Sequence, residues 1–239
     1  MAGRGSRFAD IGYPMPKPLI EVENKHVLEW TTRSLPFIDH YNDKTKQEIH
    51  FAIRKEDEVN FSIIQRLKKI YGKKIKIHTF DNVTRGNLET AYIVAKKIKN
   101  KKKDILILDS DNHYDGSSLL NFINFLKNNY SNFSVLCDFE PPDNIPKWAY
   151  AIKKGHKVND ILEKDKSAIS MGGKPIVGVF YFSLLNNFLS SAEVILKNKE
   201  LIKNEFFMSQ AIKLYLNCNI PVFSLSVNNV VPLGTPEDI

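Results

Sequence analysis

Cysteine is scarce in this chain. Its 239 residues hold two, Cys137 and Cys218, each inside an apolar segment. That excludes a disulfide framework and a cysteine-ligated zinc site, and it points to buried thiols in a reducing cytoplasm. Long apolar runs are missing too; none approaches the ~20 residues that span a bilayer. The first residues are basic and carry glycines with no apolar stretch, so they do not read as a signal peptide. Zinc-finger spacing, an RNP-like aromatic pattern and a long basic arm are also absent. The net charge of +7 therefore gives no argument for nucleic acid. The runs Lys73-Lys74 and Lys101-Lys102-Lys103 fall at expected helix ends and turns and read as solvated surface. An anionic small substrate remains compatible with the excess charge. No Ser/His/Asp or Cys/His set can be built from spacing. His113, beside two acids, is the histidine to watch, with a structural role preferred.

What is there alternates. "EIHFAIR" (48–54) reads as a strand and "DEVNFSIIQRLKKIYG" (57–72) as an amphipathic helix ending near Gly72. "KIKIHTF" (74–80) is a strand, and "NLETAYIVAKKIKN" (87–100) has the apolar spacing of a helix face. "DILILDSD" (104–111) is a short apolar run ending in acids, the pattern of a buried central strand in a parallel sheet. A helix over 117–130 and a strand over 133–139 follow. This β-α-β-α-β order predicts a doubly wound α/β sandwich with ligands at the carboxyl ends of its strands. The second half changes character. Strands over 148–154 and 157–164 turn at Gly155, a strand covers 175–183, helices lie near 184–198 and 205–217, and a strand covers 221–227. That is a small α+β lobe within one domain of 239 residues, with "EPPDNIP" (140–146) as a stiff hinge. The division falls between residues 1–139 and 140–239.

Five stretches could carry chemistry. In "MAGRGSRF", Gly3 and Gly5 let backbone N–H groups approach a phosphate, and Arg7 and Lys17 add positive charge. Against this stands an ordinary turn; the stretch is neither a Walker loop nor a full G-x-G-x-x-G. In "LDSDN" (108–112), Asp109 and Asp111 alternate to the same side of an extended chain and suit a hard divalent cation, Mg²⁺. The competing reading is an aspartate that caps the next helix, a job that Asp115 or Ser117 fits better. In "TRGNLETAY" (84–92), Gly86 feeds a helix start that could meet a base or ribose, or could be a cap alone. In "ILEKD" (161–165), Lys164 could meet a phosphate, although exposed Lys/Glu neighbours are common. In "VPLGTPEDI" (231–239), Thr235 is placed to cap a helix with Pro236 at its first position.

Taken in order, these motifs resemble the sugar-phosphate nucleotidyltransferases, close to cytidylyltransferase-type members of capsule biosynthesis. The resemblance rests on Gly3-Arg4-Gly5-Ser6-Arg7, Pro16-Lys17-Pro18-Leu19, Asp111-Asn112, Glu163-Lys164, Gly178 and the closing stretch from Gly234 to Asp238. It implies a Rossmann-like (GT-A-like) α/β/α sandwich with a mostly parallel central sheet and a small α+β acceptor-binding lobe. It also implies a reaction of an NTP, CTP favoured, with a phosphorylated small-molecule acceptor to release pyrophosphate. On that resemblance Arg7 and Lys17 would be catalytic. Ala2, Gly3, Arg4, Gly5, Ser6, Thr84, Gly86, Asn87 and Asp109 would hold the nucleotide. Lys164, Gly178 and Asn112 would hold the acceptor. Asp111, with Asp109, would bind Mg²⁺. Nucleic acid and membrane are not expected as partners; self-association is left open.

The chain departs from the pattern at Pro232, where the family often has a second metal-binding aspartate; Asp109 could substitute. An Asp109-x-Asp111 pair also fits a GT-A glycosyltransferase acting on an NDP-sugar, and Pro232 leaves room for a nucleotide-binding subunit without turnover. A phosphate loop of this kind should follow a buried strand, and "GTPEDI" stops where a helix should begin. A few native residues are therefore expected beyond both ends, including an apolar strand of roughly five residues upstream.

Overall fold

The computed structural model describes residues 8, 10–35, 47–141, 143 and 145–239. By contacts it divides into two compact units. The first comprises Met1–Thr84, Ser110–Ser117 and Val231–Ile239; the second comprises Arg85–Asp109 and Ser118–Val230. Elements are numbered in chain order.

In the first unit a 3-10 turn, Lys17–Leu19, leads to a hairpin of β1 (Glu21–Val22) and β2 (Lys25–His26). Its two turn residues, Glu23 and Asn24, both take positive φ, which matches the strand twist of a tight hairpin. Helix α1 (Val27–Arg33) follows, with Glu29 reaching back to the His26 N–H at 3.2 Å. Strands β3 (His50–Arg54) and β4 (Lys76–Phe80) are parallel, in register from His50 opposite Lys76. Between them the single expected helix is two, α2 (Lys55–Phe61) and α3 (Ile63–Tyr71). The break is at Ser62, a left-handed residue with φ 51°; Glu58 then takes the Ile64 N–H at 2.7 Å and caps the second piece. Gly72, at φ 83°, ends α3 as the sequence predicts. Leu19, Leu28, Phe51, Ile53, Ile63, Leu67 and Tyr71 form one core of this unit. Strand β6 (Asn112–Asp115) also belongs here.

The second unit is built on a six-stranded mixed sheet. Its strands are β5 (Ile105–Leu108), β7 (Ser134–Asp138), β8 (Ala149–Lys154), β9 (Lys157–Glu163), β10 (Lys174–Phe182) and β11 (Val222–Ser226), in the order β5-β10-β7-β11-β9-β8. The expectation of a mostly parallel sheet is corrected here. Strands β7 and β11 are parallel, but β10 runs antiparallel to both β5 and β7. The cause lies in the chain path. The hairpin of β8 and β9, turned at Gly155 with φ 59°, reverses direction, and β10 returns between the first two strands. A nine-residue strand with eight buried positions has no solvent edge to occupy. For the same reason β5 is not the central buried strand expected; it is half-buried and has β10 as its neighbour.

Helices α4 (Asn87–Lys96), α5 (Leu119–Lys127), α6 (Ser167–Ser170), α7 (Leu185–Asn198) and α8 (Met208–Asn217) complete the unit. Helices α4, α7 and α8 pack together, and their apolar faces meet Leu136, Phe180, Phe182 and Val222 of the strands. Strand β12 (Asn228–Pro232) leads into the closing segment. The prolines of 140–146 lie partly outside the described residues. Among the described residues no helix is long and apolar enough to cross a membrane. Cys137 is buried, as expected, and burial pushes its thiol pKa up; Cys218, expected to be buried, is exposed at the C-cap of α8, beyond the helix's last turn.

Tyr215 lies wholly inside the α8 face of this core, and its hydroxyl has no hydrogen-bond partner among the described residues. A buried unsatisfied hydroxyl costs about 1–3 kcal/mol. Tyr215→Phe is therefore expected to raise unfolding stability by about 1 kcal/mol in urea titration. A fall of that size would contradict this description of the core.

Candidate functional site

In the first unit three distant segments meet at Asp111. Pro16 and Pro18 hold the backbone around Lys17 with fixed φ, and the Lys17 Nζ lies 2.5 Å from Asp111 Oδ2. Both side chains keep some exposure, 19% and 26%. The Leu233 N–H donates to the Asp111 carbonyl at 2.8 Å. Gly234 then runs beside the carboxylate, where a Cβ on it would be in ordinary van der Waals contact, 3.4 Å from Asp111 Oδ2. Asn112 Nδ2 faces the other carboxylate oxygen at 3.4 Å. The closing turn is fixed by Asp238, which accepts the Gly234 and Thr235 N–H groups and the Thr235 hydroxyl at 2.7–3.1 Å. The expected cap at Thr235 is present, on a 3-10 turn, Pro236–Asp238. His113 takes the structural role preferred for it: Nδ1 meets the Ser34 hydroxyl at 2.9 Å and the Trp30 carbonyl at 3.0 Å.

In the second unit a separate group forms around four residues that the sequence did not single out, 206–209. They follow a turn whose central residues, Lys203 and Asn204, have φ 49° and 65°, closed by mutual N–H to carbonyl bonds of Ile202 and Glu205 at 3.0 Å. The Phe206 N–H donates to the Arg85 carbonyl at 2.7 Å, and its carbonyl accepts the Leu88 N–H at 3.2 Å. Gly86 takes φ 137°, and a Cβ there would lie 2.2 Å from the Phe206 oxygen. The glycine at this helix start is thus required by the Phe206 backbone. Met208 N–H donates to Asn87 Oδ1 at 3.0 Å, and Asn87 Nδ2 faces Asp109 Oδ1 at 3.3 Å. Asp109 N–H donates to the Gly178 carbonyl at 2.9 Å; Gly178 has φ 79°, and a Cβ on it would lie 2.5 Å from Asp109 Oδ2.

The Glu163 and Lys164 side chains join this group from the end of β9. Lys164 takes a left-handed conformation, donates its N–H to the Trp148 carbonyl at 2.9 Å, and sets its ammonium 4.3 Å from the Phe207 ring centre. Glu163 accepts the Ser209 hydroxyl at 2.5 Å. Burial raises the Glu163 pKa. The Ser209 bond and the Lys164 charge oppose that rise, Glu205 adds to it, and Lys203 again lowers it.

The predicted residues therefore fall into two groups. Lys17, Asp111 and Asn112 are brought together with Gly234 in the first unit. Gly86, Asn87, Asp109 and Gly178 are brought together in the second, with Lys164 linked through Phe207. Thr84 belongs to the first unit. Ala2, Gly3, Arg4, Gly5, Ser6 and Arg7 lie outside the described residues. The signal available for 206–209 was the pair Phe206-Phe207 ahead of a helix, which also reads as plain core.

The donor set fits Mg²⁺. Among the described residues no cluster of three or more His, Cys, Asp or Glu could hold a metal by itself. Magnesium needs no such cage; one or two carboxylates suffice, with water and substrate phosphates supplying the rest. The partly exposed Asp111 carboxylate already faces a cation in Lys17.

The sequence profile described as Nucleotidyl transferase matches residues 1–216. No curated protein matches the chain. Solved structures do. A nucleoside-diphosphate-sugar pyrophosphorylase from Vibrio cholerae RC9 superposes with a TM-score of 0.80 at 17% identity, over 100% of this chain and 95% of the other. The inositol-1-phosphate CTP transferase from T. maritima gives 0.66 at 12%, over 99% and 88%. The CTP:phosphocholine cytidylyltransferase from Streptococcus pneumoniae gives 0.65 at 17%, over 99% and 92%. At these identities the likeness shows a shared mixed α/β fold.

The raised Glu163 pKa has a consequence for stability. The unfolded carboxyl titrates near 4.5 and the folded one higher, so within that window the folded state binds more proton. Stability from this group is thus lost as pH rises through the window, and the penalty is complete above it. Glu163→Gln is expected to be more stable than wild type near pH 8, with the gain vanishing near pH 4. Thermal melts of both proteins check this; a gain that grows toward acid would contradict it.

Proposed function

The chain belongs to the nucleotidyl transferase family, and on that premise we propose that it joins an NTP, CTP favoured, to a phosphorylated small-molecule acceptor in the cytoplasm. The product is an NDP-linked precursor for capsule or another surface polysaccharide. The observation that carries this reading is the convergence of Lys17, Asp111 and the Gly234 turn on one point. Two of the solved neighbours named above have CTP in their descriptions, which supports the choice of base.

An oxygen of the acceptor phosphate forms a bond to the α-phosphorus of the NTP. The bond from that phosphorus to the bridging oxygen breaks, and pyrophosphate leaves with the electron pair. The nucleophile is already ionised, so no general base is needed. The difficulty is the meeting of two anions and the charge that builds on the transferred group. Lys17 answers it from its proline-fixed turn by offering an ammonium to the α-phosphoryl oxygens. Residues 2–7, with Arg7, cradle the rest of the triphosphate, and Thr84 and Gly86 lie toward the base. Lys164 and Gly178 meet the acceptor, with Asn112 beside Asp111. Asp111 would hold a magnesium ion, which would supply neutralisation of phosphate charge. The whole chain works as one catalytic domain.

Lys17→Ala and Asp111→Ala are each expected to lower pyrophosphate release by about a hundredfold or more. The assay crosses five NTPs with phosphorylated sugars, amino alcohols and amino-acid derivatives. Full activity in both variants would overturn the assignment. Transfer from an NDP-sugar, with no pyrophosphate from any NTP, would favour the glycosyltransferase reading.

A further inference from the structure

The Asn87 carboxamide is engaged at both ends inside the second unit. Its oxygen takes the Met208 N–H at 3.0 Å, and its nitrogen faces Asp109 Oδ1 at 3.3 Å. The partners fix the orientation of the amide, since an N–H can only donate and an ionised carboxylate can only accept. Asp109 is enclosed on its other side by the Gly178 backbone, where a Cβ would stand 2.5 Å from Oδ2. One residue beyond Met208, Ser209 holds Glu163 at 2.5 Å, next to Lys164 over the Phe207 ring. A line of contacts thus runs from the end of β5, through Asn87 and 207–209, to the end of β9.

We propose that Asn87 is a positioning residue: its one amide fixes the Asp109 carboxylate and the Met208 backbone together, and so sets where Glu163 and Lys164 stand for the acceptor. This rests on the reading of the Lys164 side as the acceptor side. Asp109 acts within the protein as the acceptor for Asn87, and the cation is left to Asp111. Asn87 contributes nothing directly to the choice of base.

The test is a double-variant cycle, read by pyrophosphate release with NTP and acceptor varied separately, and by melting temperature. Asn87→Asp keeps an oxygen for Met208 but sets a second carboxylate against Asp109, and like charges at this range repel. It is expected to lose about tenfold or more in kcat/KM, carried by the acceptor KM and not the NTP KM, and to melt lower. Asn87→Asp/Asp109→Asn exchanges donor and acceptor across the contact. It is expected to recover most of that loss, about tenfold over Asn87→Asp, and to regain the melting temperature. A double variant no better than Asn87→Asp overturns the proposal, because removing the charge of a cation ligand would deepen the loss. So does a change confined to the NTP KM. A wild-type protein that releases no pyrophosphate refutes the proposed reaction instead. The melts then still decide the pairing: restoration in the double variant sustains it and its absence overturns it.

Discussion

The ammonium of Lys17 and the carboxylate of Asp111 stand 2.5 Å apart, and three segments of the first unit meet at that contact. Its partners come from three places in the chain. The prolines at 16 and 18 fix the lysine, the acid follows directly from β5, and the Leu233 N–H ties the closing segment to the acid's own carbonyl. An ion pair with a fifth to a quarter of each side chain exposed contributes little to stability by itself. Under the proposed function each partner would have a better one to receive, a phosphoryl oxygen for the lysine and a divalent cation for the aspartate, and the pair would keep both groups oriented and mutually neutralised until substrate arrives.

The second unit solves a different problem. Its groups are locked to one another by hydrogen bonds and by close backbone approach. Gly86 and Gly178 hold positive φ values, and a Cβ on either would overlap a neighbouring backbone or carboxylate atom. The segment 206–209 touches the start of α4 on one side and the end of β9 on the other. It therefore links residues assigned to the nucleotide with residues assigned to the acceptor, without itself being either. A mixed sheet makes this possible, since β10 places Gly178 beside the end of β5.

Much of this was legible in the sequence, for identifiable reasons. An apolar run that ends in acids marks a strand whose carboxyl end is polar, and Asp109 and Asp111 do follow β5. Gly155, Gly72 and Thr235 announced a turn, a helix end and a cap through the conformations that those residue types favour. The direction of β10 was not legible, because a fully buried apolar run reads alike in parallel and antiparallel neighbours. The break at Ser62 was hidden in an unbroken amphipathic pattern, since a single left-handed residue leaves the apolar spacing almost unchanged. Cys218 lay in an apolar stretch yet caps a helix end in solvent. The 206–209 segment escaped notice because it bonds to Arg85, Leu88 and Asn87 through its own backbone atoms, which no side-chain pattern reports.

Under the proposed function, Lys17 and Asp111 are substrate-facing groups that hold each other only while substrate is absent. A crystal structure with Mg²⁺ and an NTP analogue that resists cleavage between the α- and β-phosphorus tests it most directly. The 2.5 Å contact is expected to open, with Lys17 on an α-phosphoryl oxygen and Asp111 on the metal. A bound nucleotide and cation that leave the contact closed and touch neither residue would contradict it.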